Sequence, residues 1–453
     1  MEKHSEIPFK DVNSDYLSGD LGQGVSICWL RRDLRLKDNA ALFNALKGDY
    51  PVLLFFIFDE EILKKLENKK DARVSFIYQT LEKIQDTLQE KGSSLLVKHD
   101  TTENAWPALL QNYNVKAVYA NHDYEPYATK RDDSLAEYLS SENIPFKTYK
   151  DQVIFEKSEI VKADGKPYSV FTPYYRQWLQ KLEDFYVKSY PTEKYFKNLY
   201  QTKKLELPRL KDLGFEETDQ IFPSKNFEKK LGEYDKERDY PAKDATSHLG
   251  LHLRFGTVSI REVVREAQAQ NASKWLSELA WREFYMMILW HFPHTTNKAF
   301  KPAYDNIKWR NNETEFKAWC EGKTGYPIVD AGMHQLNKTG FMHNRVRMVV
   351  ASFLCKHLLI DWRWGEAYFA EKLLDYEQAS NVGGWQWACG SGNDAAPYFR
   401  VFNPELQLKK FDAKMEYVFK WAPEYKLALL PTPIVDHTFA RERILAAFKK
   451  ALT

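Results

Sequence analysis

Two patterns of hydrophobic positions divide the chain. From Val25, short apolar runs, "VSICWL" (25–30), "PVLLFFIFD" (51–59), "SSLLVKHD" (93–100) and "VKAVYANHD" (115–123), recur along the sequence. Stretches of helical spacing lie between them, "NAALFNALKGD" (39–49) and "VSFIYQTLEKIQDTLQEKG" (74–92). Apolar runs without polar alternation belong to strands covered on both faces, and strands spaced by helices predict a parallel, doubly wound α/β sheet over 25–150. Residues 151–230 mix proline, charge and the segment "KPYSVFTPYYRQWLQKL" and read as an interdomain connector. After about 230 the strand signal fades. "WLSELAWREFYMMILWHF" (275–292) and "FMHNRVRMVVASFLCKHLLIDW" (341–362) predict long helices in an all-α domain over 231–453. Residues 1–24 form an N-terminal extension.

At 453 residues the chain is long enough for two domains. Lysine plus arginine (65) nearly balance aspartate plus glutamate (63), so a nucleic-acid partner has to be met by a local basic patch. Cys28, Cys320, Cys355 and Cys389 are scattered without a CxxC pair, which supports neither a disulfide framework, a zinc site nor an iron–sulfur cluster. The polar opening "MEKHSEIPFKDVNSDY" has no apolar core of a leader, and a cytoplasmic location is expected. "GDLGQG" (19–24) precedes the first strand and so lacks the context of a dinucleotide fingerprint; no Walker A sequence is present.

The candidate chemistry sits in the helical half. Glu278, Trp281, Arg282 and Tyr285 stand at i, i+3, i+4 and i+7, gathering a carboxylate, an indole and a guanidinium on one helix face. Asn344 and Met348 share a face at i, i+4, with Arg345 and Arg347 expected to point elsewhere. A buried arginine there needs a carboxylate, and Asp375 and Glu377 are the candidates. In "NVGGWQWACGSGNDAAPYFRVFNP" (381–404), Trp385 and Trp387 follow Gly383 and Gly384, residues that let backbone approach something flat. Two indoles two residues apart face different directions.

The segments "WLRRDLRLKDNAAL" (29–42), "TSHLGLHLRFG" (246–256), "ELAWREFY" (278–285), "EGKTGYPIVDAGMHQLNKTGFMHNRVRM" (321–348) and "DWRWGEAYF" (361–369) join the 381–404 stretch in one order. In order and spacing they resemble the photolyase/cryptochrome family over about 25–448, and most of all its class I cyclobutane pyrimidine dimer (CPD) photolyases. The resemblance implies an antenna-type α/β domain, a helical domain holding FAD without a dinucleotide fingerprint, and light-driven repair by electron transfer from excited FADH⁻. It implies UV-damaged DNA as partner and a monomeric, carbon–carbon lyase.

Position by position, the resemblance implies flavin contacts from Tyr234, Thr246, Ser247, His248, Leu249, Gly250, Trp275, Arg282, Arg347, Asp375, Glu377 and Asn381. Gly250 and Leu251 replace the usual Ser-Pro, removing one hydroxyl from the expected pyrophosphate cradle. Asn381 would lie against flavin N5, where a neutral amide can accept from N5–H without adding charge. Plant-type signalling relatives carry aspartate there, so asparagine favours repair over a blue-light receptor. Trp281 and Trp387 would sandwich a flipped dimer, Glu278 and Asn344 would hydrogen-bond its base edges, and Met348 would fill the side. Arg345 and Arg400 would grip phosphates. Trp385, Trp362 and Trp309 would relay an electron to the flavin. A (6-4) photolyase would be expected to carry a histidine pair, where this chain has Asn344 and Arg345. A second antenna chromophore is compatible with the family, but Tyr127 and Ala128 stand where folate-binding relatives place an amide and a carboxylate, which disfavours folate.

Overall fold

A computed structural model describes residues 21–395, 397–427 and 431–452. The expected N-terminal extension therefore lies, up to residue 20, outside the described residues. Contacts divide the chain into two compact units, the first comprising 21–154, 183–223 and 252–265 and the second 155–182, 224–251 and 266–453. The segment expected as a connector is thus shared between the units, and 252–265, expected in the helical domain, groups with the sheet.

In the first unit, strands β1 (Gly24–Leu30), β2 (Val52–Asp59), β3 (Leu95–Asp100), β4 (Asn114–Asn121) and β5 (Phe146–Tyr149) form one sheet, all pairs parallel, in the order β3-β2-β1-β4-β5. Helices α1 (Ala40–Leu46), α2 (Ala72–Gln89), α3 (Thr102–Asn112) and α4 (Pro126–Ser141) connect them. β1 and β2 are almost wholly buried, as their unbroken apolar runs require. Buried ion pairs draw 252–265 into this unit: Arg261 meets Asp38 at 2.9 Å and Asp151 at 2.8 Å, Arg35 meets Asp151 at 2.7 Å, and Arg254 meets Glu125 at 2.6 Å.

The strand order reverses between β1 and β4, the place where open α/β sheets offer a crevice. Side chains that follow β1 and belong to α4 meet there. Arg31 bonds the Asn121 carbonyl and pairs with Asp132, while the guanidinium groups of Arg31 and Arg131 lie 4.6 and 4.7 Å from the Trp29 ring. Nearby, the Tyr127 hydroxyl donates to Asp59 Oδ2 at 2.6 Å and Ala128 is buried.

The second unit is helical. α5 (Phe171–Lys181), α6 (Ser273–His291), α7 (Asn344–Ser352), α8 (Trp362–Lys372) and α9 (Gln378–Cys389) position its site. The predicted helix over 341–362 is shorter than expected. It starts on the His343 cap, whose Nδ1 accepts from the Arg345 N–H, and passes after Ser352 into a π-turn over Phe353–His357. Among the described residues no helix is long and apolar enough to cross a membrane.

Candidate active site

A cavity of about 430 Å³ opens between α6, α7, α8 and α9 in the helical unit. Its size falls within the range of small-molecule sites. α6 contributes Glu278, Trp281, Arg282 and Tyr285, the row expected from the i, i+3, i+4, i+7 spacing. α7 contributes Asn344, Arg345, Arg347 and Met348. The two arginines, expected to point away from the Asn344–Met348 face, line the same cavity; these residues occupy the first turns of α7, at whose end long side chains can curl inward. Asp375, Glu377, Asn381, Gly384, Trp385 and Trp387 close the far side.

The electrostatics of the wall are set by three pairs. Arg347 Nη2 lies 2.9 Å from Asp375 Oδ2 and its Nε donates to the Met342 carbonyl at 2.8 Å, so Asp375 is the carboxylate that the arginine required. Arg345 pairs with Asp239 at 2.8 Å, leaving its buried Nε without a hydrogen-bond partner. Glu278, which lines the cavity, is engaged by Arg238 through Oε1, also the oxygen nearest Lys274 at 3.9 Å, so its other oxygen takes part in neither pair. His343, capping α7, is pushed down to about 4 by burial, with Arg347 and Arg345 adding to the shift and Asp239 opposing it.

The two indoles of α9, expected to face different directions, line the same cavity and differ in burial. Trp385 is 2% exposed and packs edge-on to Phe369 (5.0 Å) and Trp319 (6.0 Å). Gly365 on α8 makes room for it, because a Cβ there would strike the Trp385 ring. Trp387 is half-buried, and Phe402 is 6.5 Å away. Gly383 is small because Tyr285 fills the place of its Cβ, whereas a Cβ on Gly384 would meet nothing within 4 Å.

Other expected residues lie outside the cavity lining. Trp275 is buried and stacks on Phe227 at 5.4 Å, with Tyr234 edge-on at 6.5 Å. Thr246, Ser247, His248 and Leu249 precede the short helix that begins at Gly250. A Cβ on Gly250 would come within 2.6 Å of Asp375 Oδ2, so this segment abuts the cavity wall from behind. Trp362 is buried under the Arg363 guanidinium, Trp309 is half-buried against Phe448, and Arg400 is exposed.

The residues present fit a planar, polar-edged ring such as a flavin. Gly384 leaves a space that a side chain would fill, the Arg347–Asp375 pair stands on one wall, and Asn381 offers an oxygen. Sequence reading missed Arg238, Glu366 and Trp319. Arg238 follows Tyr234 by one helical turn, a spacing that links it to an expected site residue. Glu366 and Trp319 carry no local signal; only the fold brings them to Asn381 and Trp385.

Comparison with known proteins identifies the family that the chain resembles. Residues 26–194 match the family model described as DNA photolyase, and 275–429 match that described as the FAD binding domain of DNA photolyase. A relative from Synechococcus sp. named deoxyribodipyrimidine photo-lyase is 36% identical, spanning 93% of this chain and 96% of the relative. Among solved structures, a bacterial class III photolyase from Agrobacterium tumefaciens superposes with a TM-score of 0.85 at 33% identity, covering 96% of this chain and 99% of its own. An archaeal photolyase from Sulfolobus tokodaii with two FAD molecules gives a TM-score of 0.79 at 33% identity, covering 94% of this chain and 100% of its own.

Proposed function

The chain belongs to the DNA photolyase family, and from that premise we propose that it repairs cyclobutane pyrimidine dimers in DNA with light, using reduced FAD. The observation that carries this reading is one cavity shared by two kinds of lining. Trp281 and Trp387, from two different helices, stand with Glu278, Asn344 and Met348, while Arg347, Asp375 and Asn381 line the same space.

The residues divide the work. Trp281 and Trp387 offer ring faces to an uncharged dimer turned out of the duplex, at about 1–3 kcal/mol per stacked base, enough to offset the few kcal/mol that flipping costs. Asn344 is exposed and can donate and accept at a base edge, and the open oxygen of Glu278 accepts there. Arg238 fixes Glu278 through its other oxygen, so the carboxylate meets the base in one orientation. Arg347, Asp375 and Asn381 would hold the flavin ring by its polar edges, with Arg282 and Glu377 beside them. The chemistry that reduced flavin supplies when bound is donation of one electron to the dimer under blue light and its recovery after both intradimer bonds open. Trp385, buried in the wall, supports a route for re-reducing oxidised flavin through Trp362 and Trp309.

Of the alternatives, (6-4) repair has no histidine pair to draw on at Asn344 and Arg345. For a second chromophore, Tyr127 bonded to Asp59 speaks against folate, and mass spectrometry of pigments released from native protein identifies what is bound. The deciding experiment is blue illumination of the reduced holoprotein with dimer-containing oligothymidine. Recovery of thymine absorbance is expected; dimers left intact with flavin bound and reduced would overturn the reading.

A further inference from the structure

Trp281 presents one face to the cavity, and its other face is not in contact with ordinary aliphatic packing. Phe171 lies flat against it, ring centroids 3.8 Å apart and planes 11° from parallel. Tyr175 also lies parallel to Phe171, at 5.4 Å and 10°. Phe284 closes the edge, T-shaped to both Phe171 (5.7 Å) and Trp281 (5.6 Å). The ring centroids lie closer than the roughly 4.5–7 Å usual for aromatic pairs, and the surroundings hold the two rings together.

They do so from two directions. The Phe171 N–H, at the start of α5, donates to Asp394 Oδ2 at 3.0 Å, and Asn393 Nδ2 donates to the Ser169 carbonyl at 3.3 Å. Asn393 and Asp394 follow α9, the helix that carries Trp387. Two turns of α5 further on, Trp178 Nε1 donates to the buried Glu283 of α6 at 2.6 Å, and that same carboxylate oxygen accepts from the Phe155 N–H at 3.2 Å. Phe171 is therefore tied by backbone to the element of one cavity wall and stacked on the ring of the other.

We propose that Phe171 is a positioning residue for dimer recognition: it holds the Trp281 ring at the angle and depth at which the opposite face receives the dimer. The inference rests on the repair reading above and deepens it. An indole with an open cavity on one side and loose packing on the other can swing into the empty space, and a ligand must then restore its position at the expense of binding. Phe171 removes that freedom beforehand. Its contribution falls on dimer stacking and not on the phosphate contacts that serve all DNA alike.

The test uses holoprotein carrying Phe171→Leu, Phe171→Ala or Phe171→Tyr, with binding measured to oligothymidine with and without a single dimer. An aromatic pair is worth about three- to tenfold in affinity. Leu and Ala are expected to lose that factor for dimer-containing DNA alone, with flavin absorbance and affinity for undamaged DNA unchanged. Tyr, which keeps the flat ring, is expected to retain wild-type discrimination, a rescue that volume alone cannot give. If Phe171→Ala does not fold, the Leu variant decides. Full discrimination in Phe171→Leu, or equal loss for both DNAs, would overturn the inference alone. Wild-type protein that cannot tell the two DNAs apart would overturn the repair reading and this inference with it.

Discussion

Asn381 gives its amide nitrogen wholly to Glu366, at 3.1 Å to the backbone oxygen and 2.9 Å to Oε1. Both amide protons are thereby used, so at the cavity that it lines Asn381 can accept a hydrogen bond and cannot donate one. Burial holds the Glu366 carboxyl above the ordinary range, while hydrogen bonds from Asn381 and Tyr376 work against that shift. Glu366→Gln introduces a side chain that both donates and accepts, so the Asn381 amide can invert. This variant is expected to bind flavin but to be photoreduced severalfold more slowly than wild type, as followed by the flavin absorption spectrum under blue light.

The acid limb of stability is predicted from His343. Its Nδ1 caps α7 by accepting from the Arg345 N–H, which requires the neutral ring, and burial pushes its pKa down to about 4. The unfolded chain, with an ordinary histidine near 6.5, binds more protons than the fold between about pH 4 and 6.5. Stability therefore rises with pH across that window and falls on acidification, by an amount on the order of 3 kcal/mol for the full shift. His357, pushed down to about 3 by burial, adds in the same direction. His343→Asn keeps a capping side chain and removes the titration, so its melting temperature is expected to change less than that of wild type between pH 7 and 5. His343→Ala loses the cap as well, at about 1 kcal/mol at pH 7.

The Arg347–Asp375 pair predicts cofactor retention. Both side chains are mostly buried, and removing one partner leaves the other charge without compensation. Asp375→Asn is expected to release flavin at least about tenfold more readily, a difference of about 1.4 kcal/mol, on titration of the apoprotein followed by flavin fluorescence. Arg347→Lys keeps the charge but not the fork that reaches both Asp375 and the Met342 carbonyl, and should fall between.

How much of this was legible beforehand depended on whether a feature is local. β1, β2, β3 and β4 begin and end within two residues of their apolar runs, because a strand buried on both faces announces itself residue by residue. β5, "FKTY", went unread: as an edge strand it exposes Lys147 and Thr148 and carries no apolar run. The α6 row of Glu278, Trp281, Arg282 and Tyr285 followed from helical spacing alone. The inward turn of Arg345 and Arg347 did not, because it depends on Asp239 and Asp375, more than 25 residues away in sequence on either side. Phe171 lay in a stretch read as connector, and nothing in "VFTPYY" indicates that the ring will back an indole 110 positions later.

On the proposed function, a change at Trp385 is expected to separate repair from the flavin reduction that precedes it. The indole is buried in the cavity wall and packs against Phe369 and Trp319. Trp385→Phe retains the aromatic volume but removes the readily oxidised indole. Photoreduction of oxidised flavin is expected to slow by at least about tenfold, one decade of rate. Repair by protein reduced chemically beforehand is expected to remain near the wild-type rate. Equal loss in both assays would place the fault in packing around Gly365 and not in electron supply.

Arg400 offers a test of the proposed DNA contacts. Its guanidinium is exposed above Phe402 at 5.5 Å, while its backbone carbonyl accepts from the buried ammonium of Lys356 at 2.8 Å. The side chain is thus free to meet a phosphate on a backbone held in place from beneath. A single phosphate contact releases about one counterion, so Arg400→Ala should lower the slope of log affinity against log salt by about one. The loss should be the same for damaged and undamaged DNA, because phosphates carry no record of the dimer. A salt slope unchanged from wild type would mean that Arg400 meets no phosphate, and a loss confined to dimer-containing DNA would move it from the backbone contacts to the lesion itself.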